Sequence, residues 1–345
     1  MSPTAAPVPP EGGMQAWQWR RAVADSNLLE AAADARGVAP TRLDEATVIL
    51  TDGDRRLLFT GLQGPGCSVG ARALCDDKLR TRRLLAAAGL PTPLARGFAA
   101  RDVDAGWRFA DVLIAPVAIK PLALEHGFGV HTRLADEAAF RAAWQDTSRW
   151  ERRRHPRTVI VEEHVEGEDL RCFVVDGAMV AAVQRRSPRV HGDGQRTVAE
   201  LIAADNRARA DHPLLAAHPI PTDLARLERL TDAGLSLDTV PADGATVVLS
   251  AATTLAAGAD LVDVTEVCHP GFARRAVRAL EAIPGLTYGA VDILTASFTD
   301  PPPDTPHVVA EVEFAPVPFA EHPNIGQPRD LAGAILDAEL ALPAA

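Results

Sequence analysis

Apolar positions along this chain fall into two rhythms, and each predicts its own kind of element. In TVILTDGDRRLLFTG (47–61) two apolar runs flank Asp52-Gly53, the pattern of a β-hairpin turning about that dipeptide. VLIAPVAIK supplies a buried strand ending at Lys120, and RTVIVEE another ending at Glu162. A turn at Glu166-Gly167 and a second hairpin at Asp176-Gly177 follow, and LTYGAVDIL and HVVAEVEF read as late strands around a proline-rich loop. The helical rhythm appears in NLLEAAADARGVAP (27–40), closed by Gly37, and in ADEAAFRAAWQDT. In PGFARRAVRALEAIP, residues Phe272, Ala276, Val277 and Leu280 make one apolar face. CDDKLRTRRLLAAAGLPTP opens with acids and closes with Gly89, Pro91 and Pro93, which places Lys78 in the first turn of a helix. Thr197 and Glu200 have the spacing of a capping box. Hairpins intermixed with helices predict an α+β fold and argue against an orderly βαβ succession.

Composition narrows the function classes. The chain has 345 residues, 47% hydrophobic and 23% charged, which is ordinary for a globular chain of roughly two domains. Its net charge of −11 argues against a general nucleic-acid surface, so no nucleic-acid partner is expected. No apolar run approaches the roughly 18–20 residues of a membrane span, so no membrane partner is expected and a cytoplasmic location is. The four cysteines (Cys67, Cys75, Cys172, Cys268) lack CxxC or zinc spacing and read as free thiols. The proline- and alanine-rich opening reads as a frayed tail over residues 1–20.

One imbalance points to chemistry. Only two of the 35 basic residues are lysine, Lys78 and Lys120. Lysine is a compact charge on a flexible stem, suited to one phosphate oxygen where arginine's wide fork does not fit. After Lys120 comes a loop with Gly127 and Gly129, whose backbone N–H groups can cradle phosphate oxygens; a plain tight turn is the competing reading. Neither GxGxxG nor GxxxxGK[ST] occurs. VIVEEHVEGEDLR crowds acids from Glu162 to Asp169 at the end of an apolar strand. Such a strand end suits a purine edge and ribose hydroxyls, or is simply a solvated acidic loop. Asp292, Glu311 and Glu313 interrupt apolar strands, Glu311 and Glu313 on one face. Three such carboxylates suit magnesium; a salt-bridged strand edge is the alternative.

Taken in order, DDKLRTRRLLAAAGLPTP, VIVEEHVEGEDLRCFVVDGAMVAAVQRRSPRVHGDGQRTVAELI and DVTEVCHPGFARRAVRAL resemble the ATP-grasp superfamily of carboxylate–amine ligases. The resemblance is closest to the C-terminal ligase domain of bifunctional glutathione synthetases and to the ATP-grasp part of cyanophycin synthetase. It covers roughly residues 70 to 330 and implies an ATP-grasp fold, two α+β subdomains clasping ATP after a short N-terminal α/β segment. The implied division is a tail over 1–20, an N-terminal segment over 21–75, and subdomains over 76–158 and 159–340.

Carried over by position, the resemblance implies that Lys78 and Lys120 contact ATP phosphates under a loop containing His126, Gly127 and Gly129. Glu162, Glu163 and Val165 would line the adenine, and Asp169 would hold the ribose. Arg171, with Arg185 or Arg186, would meet the triphosphate or the transferred phosphoryl group. Asp292, Glu311 and Glu313 would hold one or two Mg2+ ions, with Mn2+ as an alternative. The implied partners are a small-molecule carboxylate and an amine, joined through an acyl phosphate, and related ligases make a homodimer an expectation. Glu313 stands where relatives typically carry Asn. SAATTLAAGA (250–259) stands where they carry a polar stretch with paired glycines. A pseudo-ligase that binds nucleotide and serves as a scaffold is therefore the competing expectation.

Overall fold

The computed structural model describes residues 13–113, 116–122, 129–150, 158–223 and 227–342. These fold into two compact units that are discontinuous in sequence, where the sequence suggested consecutive blocks. Of the described residues, one takes 93–169 and 185–262; the other takes 13–92, 170–184 and 263–342.

The second of these units begins with α1 (Gly13–Ala35), which is longer than the helix expected over 27–40 and takes in residues 13–20, expected as tail. No N-cap residue announces its start. Its interior face, with Leu29, Ala32 and Ala33 buried, lies along the helix α9 (Leu331–Ala341). Gly37, at φ 69°, ends the helix in the left-handed region and turns the chain into β1 (Ala39–Arg42). β1 pairs antiparallel with β2 (Thr47–Asp52), which pairs with β3 (Arg55–Thr60). Asp52 pairs with Arg55, so the central turn residues are Gly53-Asp54, one place later than expected, with Gly53 carrying the positive φ.

After α2 (Val69–Cys75), Asp77 caps α3 (Lys78–Ala87) by accepting from the N–H groups of Leu79 and Arg80, which makes Lys78 its first residue, as predicted. A five-stranded sheet, most of it in this unit, has the order β12-β9-β8-β13-β14, built from β8 (Glu168–Val175), β9 (Ala178–Arg186), β12 (Asp260–Asp263), β13 (Tyr288–Thr295) and β14 (His307–Glu313). Asp176 and Gly177, at φ 47° and 74°, join β8 to β9, and two positive values in succession are what a primed two-residue turn requires. The amphipathic helix α8 (Pro270–Glu281) buries Phe272, Ala276 and Leu280.

In the other unit the first sheet has the order β4-β7-β5-β6, from β4 (Ala95–Ala99), β5 (Val117–Pro121), β6 (His131–Leu134) and β7 (Thr158–Glu163). Helices α4 (Val103–Val112) and α5 (Glu137–Trp150) share a core with Val117, Ile119, Val159 and Val161 of the sheet. The two-residue period then turns Lys120 and Glu162 to the face away from that core. Gly106 sits under Trp144: a Cβ there would lie 2.3 Å from the ring. Gly106→Ala is expected to lower the urea unfolding free energy by about 1–3 kcal/mol, because the indole has no room to yield.

The same unit contains β10 (Arg189–His191) paired with β11 (Thr246–Val248), and α6 (Val198–Arg209) with α7 (Glu228–Asp232). The Thr197–Glu200 capping box is formed in both directions at the start of α6. All four cysteines are free. Among the described residues no helix is long and apolar enough to cross a membrane.

Candidate functional site

In the second unit the late strands gather the predicted acids. β13 and β14 run antiparallel with Asp292 opposite Glu311 and Ala290 opposite Glu313. Between Ile293–Val309 and Asp292–Glu311 the register shifts, leaving Ala310 as an extra residue. That bulge puts Val309 and Val312 on one face, both buried, and leaves Glu311 and Glu313 together on the other beside Asp292. Ligand oxygens of the three carboxylates lie within 4.8 Å of one another.

Like charges opposite each other repel unless compensated. The compensation comes from two predicted residues. Arg171, on β8 and only 3% exposed, forks onto Asp292, its Nε 2.6 Å from Oδ1 and its Nη2 2.8 Å from Oδ2. The same Nη2 is 3.3 Å from Glu313 Oε1, and the guanidinium lies 5.2 Å from the centre of the Phe319 ring. Lys78 Nζ, presented by the capped start of α3, lies 2.5 Å from Glu311 Oε1. Arg171, expected at a phosphate, is here the counter-ion of the acids. The cluster is at once a salt-bridged strand edge and a set of hard oxygen donors that fits a divalent cation.

In the other unit Lys120 Nζ is 2.5 Å from Glu162 Oε1, on the sheet face opposite the helices. Beyond Glu162 the chain is pinned by Glu163 N–H donating to the Leu94 carbonyl and His164 N–H to that of Pro116, each at 3.0 Å. Val165, by contrast, makes no backbone hydrogen bond among the described residues, so its donor and acceptor remain available to a planar ligand edge. Asp169 accepts at Oδ1 from Arg185 Nη2 (2.7 Å), and at Oδ2 from the Thr253 hydroxyl. Gly129, at φ 65°, has Trp150 so close that a Cβ would lie 2.7 Å away, which explains the glycine. His126 and Gly127 lie outside the described residues.

Arg185 and Arg186 were taken together from the sequence, but consecutive strand residues face opposite ways. Arg185 goes to Asp169, whereas Arg186 Nη2 lies 3.2 Å from Asp260 Oδ2. The 250–259 stretch, poor in polar residues by sequence, is nevertheless held by carboxylates. Glu228 Oε1 accepts from Ala251 N–H (2.7 Å) and the Ser250 hydroxyl (3.2 Å), and Thr253 reaches Asp169. Thr253, Glu228 and Asp260 went unnoticed because only the third dimension pairs them with their partners.

In one unit a bulged pair of strands carries three acids, and in the other a strand-end segment pairs a lysine with a glutamate; an ATP-grasp fold is also what comparison with known proteins gives. Residues 75–196 match the RimK-like ATP-grasp domain. The chain therefore contains a RimK-like ATP-grasp domain. Cyanophycin synthetase from Nostoc sp. is 35% identical over 278 residues, covering 78% of this chain and 29% of that protein. The glutathione biosynthesis bifunctional protein of Mannheimia succiniciproducens is 30% identical over 237 residues, covering 66% of this chain and 30% of that protein. Among solved structures, a bifunctional glutathione synthetase from Pasteurella multocida matches with a TM-score of 0.66 at 25% identity, covering 91% of this chain and 44% of that one. The chain thus spans about 29% of the cyanophycin synthetases it matches.

Proposed function

We propose that this chain is an ATP-dependent carboxylate–amine ligase that forms an amide or peptide bond between amino-acid-like substrates through an acyl phosphate. The observation that carries the reading is the Asp292–Glu311–Glu313 cluster, three carboxylates on one bulged strand face with Arg171 and Lys78 turned onto it. The names of the relatives, a cyanophycin synthetase and a glutathione biosynthesis protein, support the same reaction class.

On this reading the three carboxylates hold one or two magnesium ions, or manganese, which when bound neutralise charge on phosphate oxygens. Lys78 and Lys120 supply point charges to the phosphates. Val165 offers its backbone donor and acceptor to the adenine beside Glu162 and Glu163, and Asp169 holds the ribose. Gly129, with His126 and Gly127, belongs to the loop over the phosphates. Arg171 keeps the acids in position, and Arg185 stands beside Asp169 for the triphosphate. A substrate carboxylate oxygen attacks the γ-phosphorus as the bond to ADP breaks. An amine nitrogen then attacks the acyl carbon, inorganic phosphate leaves with the C–O electron pair, and the amine loses a proton. The residues contribute positioning and charge stabilisation.

ADP and phosphate release, assayed against pools of amino acids and dipeptides, tests the proposal. Release that needs both a carboxylate and an amine, and that is abolished in Lys120→Ala, is the expected result. Nucleotide binding without turnover on any pool would instead identify a pseudo-ligase. Asp292→Asn, which keeps an acceptor for Arg171 but loses a charge, is expected to lower turnover by about 10²-fold or more. Some loss of melting temperature is expected, because the amide nitrogen replaces one of the two oxygens that accept from Arg171; a large drop with turnover intact would make the carboxylate structural.

A further inference from the structure

The side of β9 that carries Arg186 holds an unbalanced group of cations. Asp260, 7% exposed, is the carboxylate at its centre. Its Oδ1 takes Arg209 Nη2 at 2.6 Å, and its Oδ2 takes Arg186 Nη2 at 3.2 Å. Arg209 is also anchored by Asp205 through Nε (2.9 Å) and by the Ala259 carbonyl through Nη1 (3.2 Å), so each of its three nitrogens has a partner. The Arg186 fork is not: its Nε is buried and has no hydrogen-bond partner among the described residues.

Arg189 stands next to it. Its Nε donates to the Ser187 carbonyl at 3.2 Å, and it makes no ion pair among the described residues. Burial and then the Arg186 charge hold its pKa below the ordinary arginine value, with Asp260 alone acting the other way. Among the described residues these three guanidinium groups have two paired carboxylates, Asp260 and the more exposed Asp205, one fewer than the cations. A half-buried cation facing another cation is costly until an anion arrives.

A single excess charge and planar forks suit a carboxylate better than a phosphate dianion. Of the two arginines that the resemblance offers to the triphosphate, Arg185 is on Asp169 and Arg186 is on the opposite strand face with Asp260, so only Arg185 is left to the nucleotide on this reading. We propose that Arg186 and Arg189 bind a carboxylate of the amino-acid-like substrate, one that is not consumed in bond formation. The substrate is then a dicarboxylic acyl donor, or an amine that carries a free carboxylate. This inference rests on the ligase reading for the identity of the ligand, and on side-chain geometry alone for the existence of the site.

Calorimetric titration of the full chain with glutarate, and separately with inorganic phosphate and with ADP, tests the site without requiring turnover. The expected result is saturable glutarate binding that weakens at least about tenfold in Arg189→Gln and in Arg186→Gln, with ADP affinity unchanged. Arg189→Lys should recover part of it, and Arg196→Gln, at an exposed arginine paired with Asp193, should change nothing. In the ADP-release assay Arg189→Gln should raise KM for substrates bearing a second carboxylate, and not for their amides. No glutarate binding in the unsubstituted protein overturns the proposal. So does a loss of ADP binding in Arg189→Gln, which would give these arginines to the nucleotide. Phosphate binding at least as tightly as glutarate, with the same dependence on Arg189, also overturns it. Absence of turnover on every pool, with glutarate binding intact, would reject the ligase reading and leave the site standing.

Discussion

Arg171→Met is expected to lower the stability of the metal-free protein by about 3–5 kcal/mol and to make what remains depend on divalent cation. Arg171 and Asp292 are 3% and 5% exposed, and the guanidinium is bonded to both Asp292 and Glu313. Removing it leaves carboxylates facing each other across β13 and β14, with Lys78 on Glu311, and an uncompensated buried charge is among the costliest defects a core can carry. Methionine fills much of the vacated volume and packs against Phe319, so loss of packing is kept small. The measurement is urea unfolding with EDTA and with millimolar magnesium. In the unsubstituted protein magnesium should raise the midpoint modestly, because Arg171 and Lys78 already balance two of the three acids. In the variant magnesium should raise it further, since one of those two cations is gone. No rise with magnesium in either protein would show that the three carboxylates do not form a cation site, and with that the central support of the ligase proposal would go.

The sequence made some of this visible and hid the rest for identifiable reasons. The start of α3 was legible because its determinants are adjacent: Asp77 caps the helix that Lys78 opens. The same holds for the Thr197–Glu200 box and the Asp176-Gly177 turn. The acids on β13 and β14 were legible because charge inside an apolar strand is expensive and so calls for a reason. What holds those acids was not. Arg171 and Asp292 are 121 residues apart, and nothing local to either names the other. Asp260, just past the altered stretch, carries no local signal, because Arg186 and Arg209 reach it from 74 and 51 residues away. The start of α1 was missed because no cap signals it, and the proline-rich opening drew the boundary too late. The division into units was hidden because the chain leaves and re-enters each of them, and sequence order favours consecutive blocks.

A second large effect is expected where α1 buries Asp25. Burial raises the Asp25 carboxyl to about 6, with Arg21 pulling the other way, and Oδ1 is buried without a hydrogen-bond partner among the described residues. Glu321 is raised to about 7, again chiefly by burial. The Ala332 N–H opposes the shift, while Asp25 and Asp330 add to it. Both groups ionise near pH 4 in an unfolded chain. Between pH 4 and 7 the folded protein therefore holds protons that the unfolded chain has released, so stability falls as pH rises through that window and stays low above it. Asp25→Asn removes the ionisation while keeping a polar side chain beside Arg21. It should stabilise the protein by up to about 3 kcal/mol at pH 8, the worth of a shift of about two units, and by little at pH 4. Asp263 and Asp337 are shifted downward, so their effect falls below pH 4 and is common to variant and parent. Urea unfolding of the two proteins at several pH values gives the difference directly. A stabilisation that does not grow between pH 4 and 7, or a net loss at pH 8, would show that Asp25 is ionised in the folded chain and held by Arg21, whose Nε lies 3.5 Å from Oδ2.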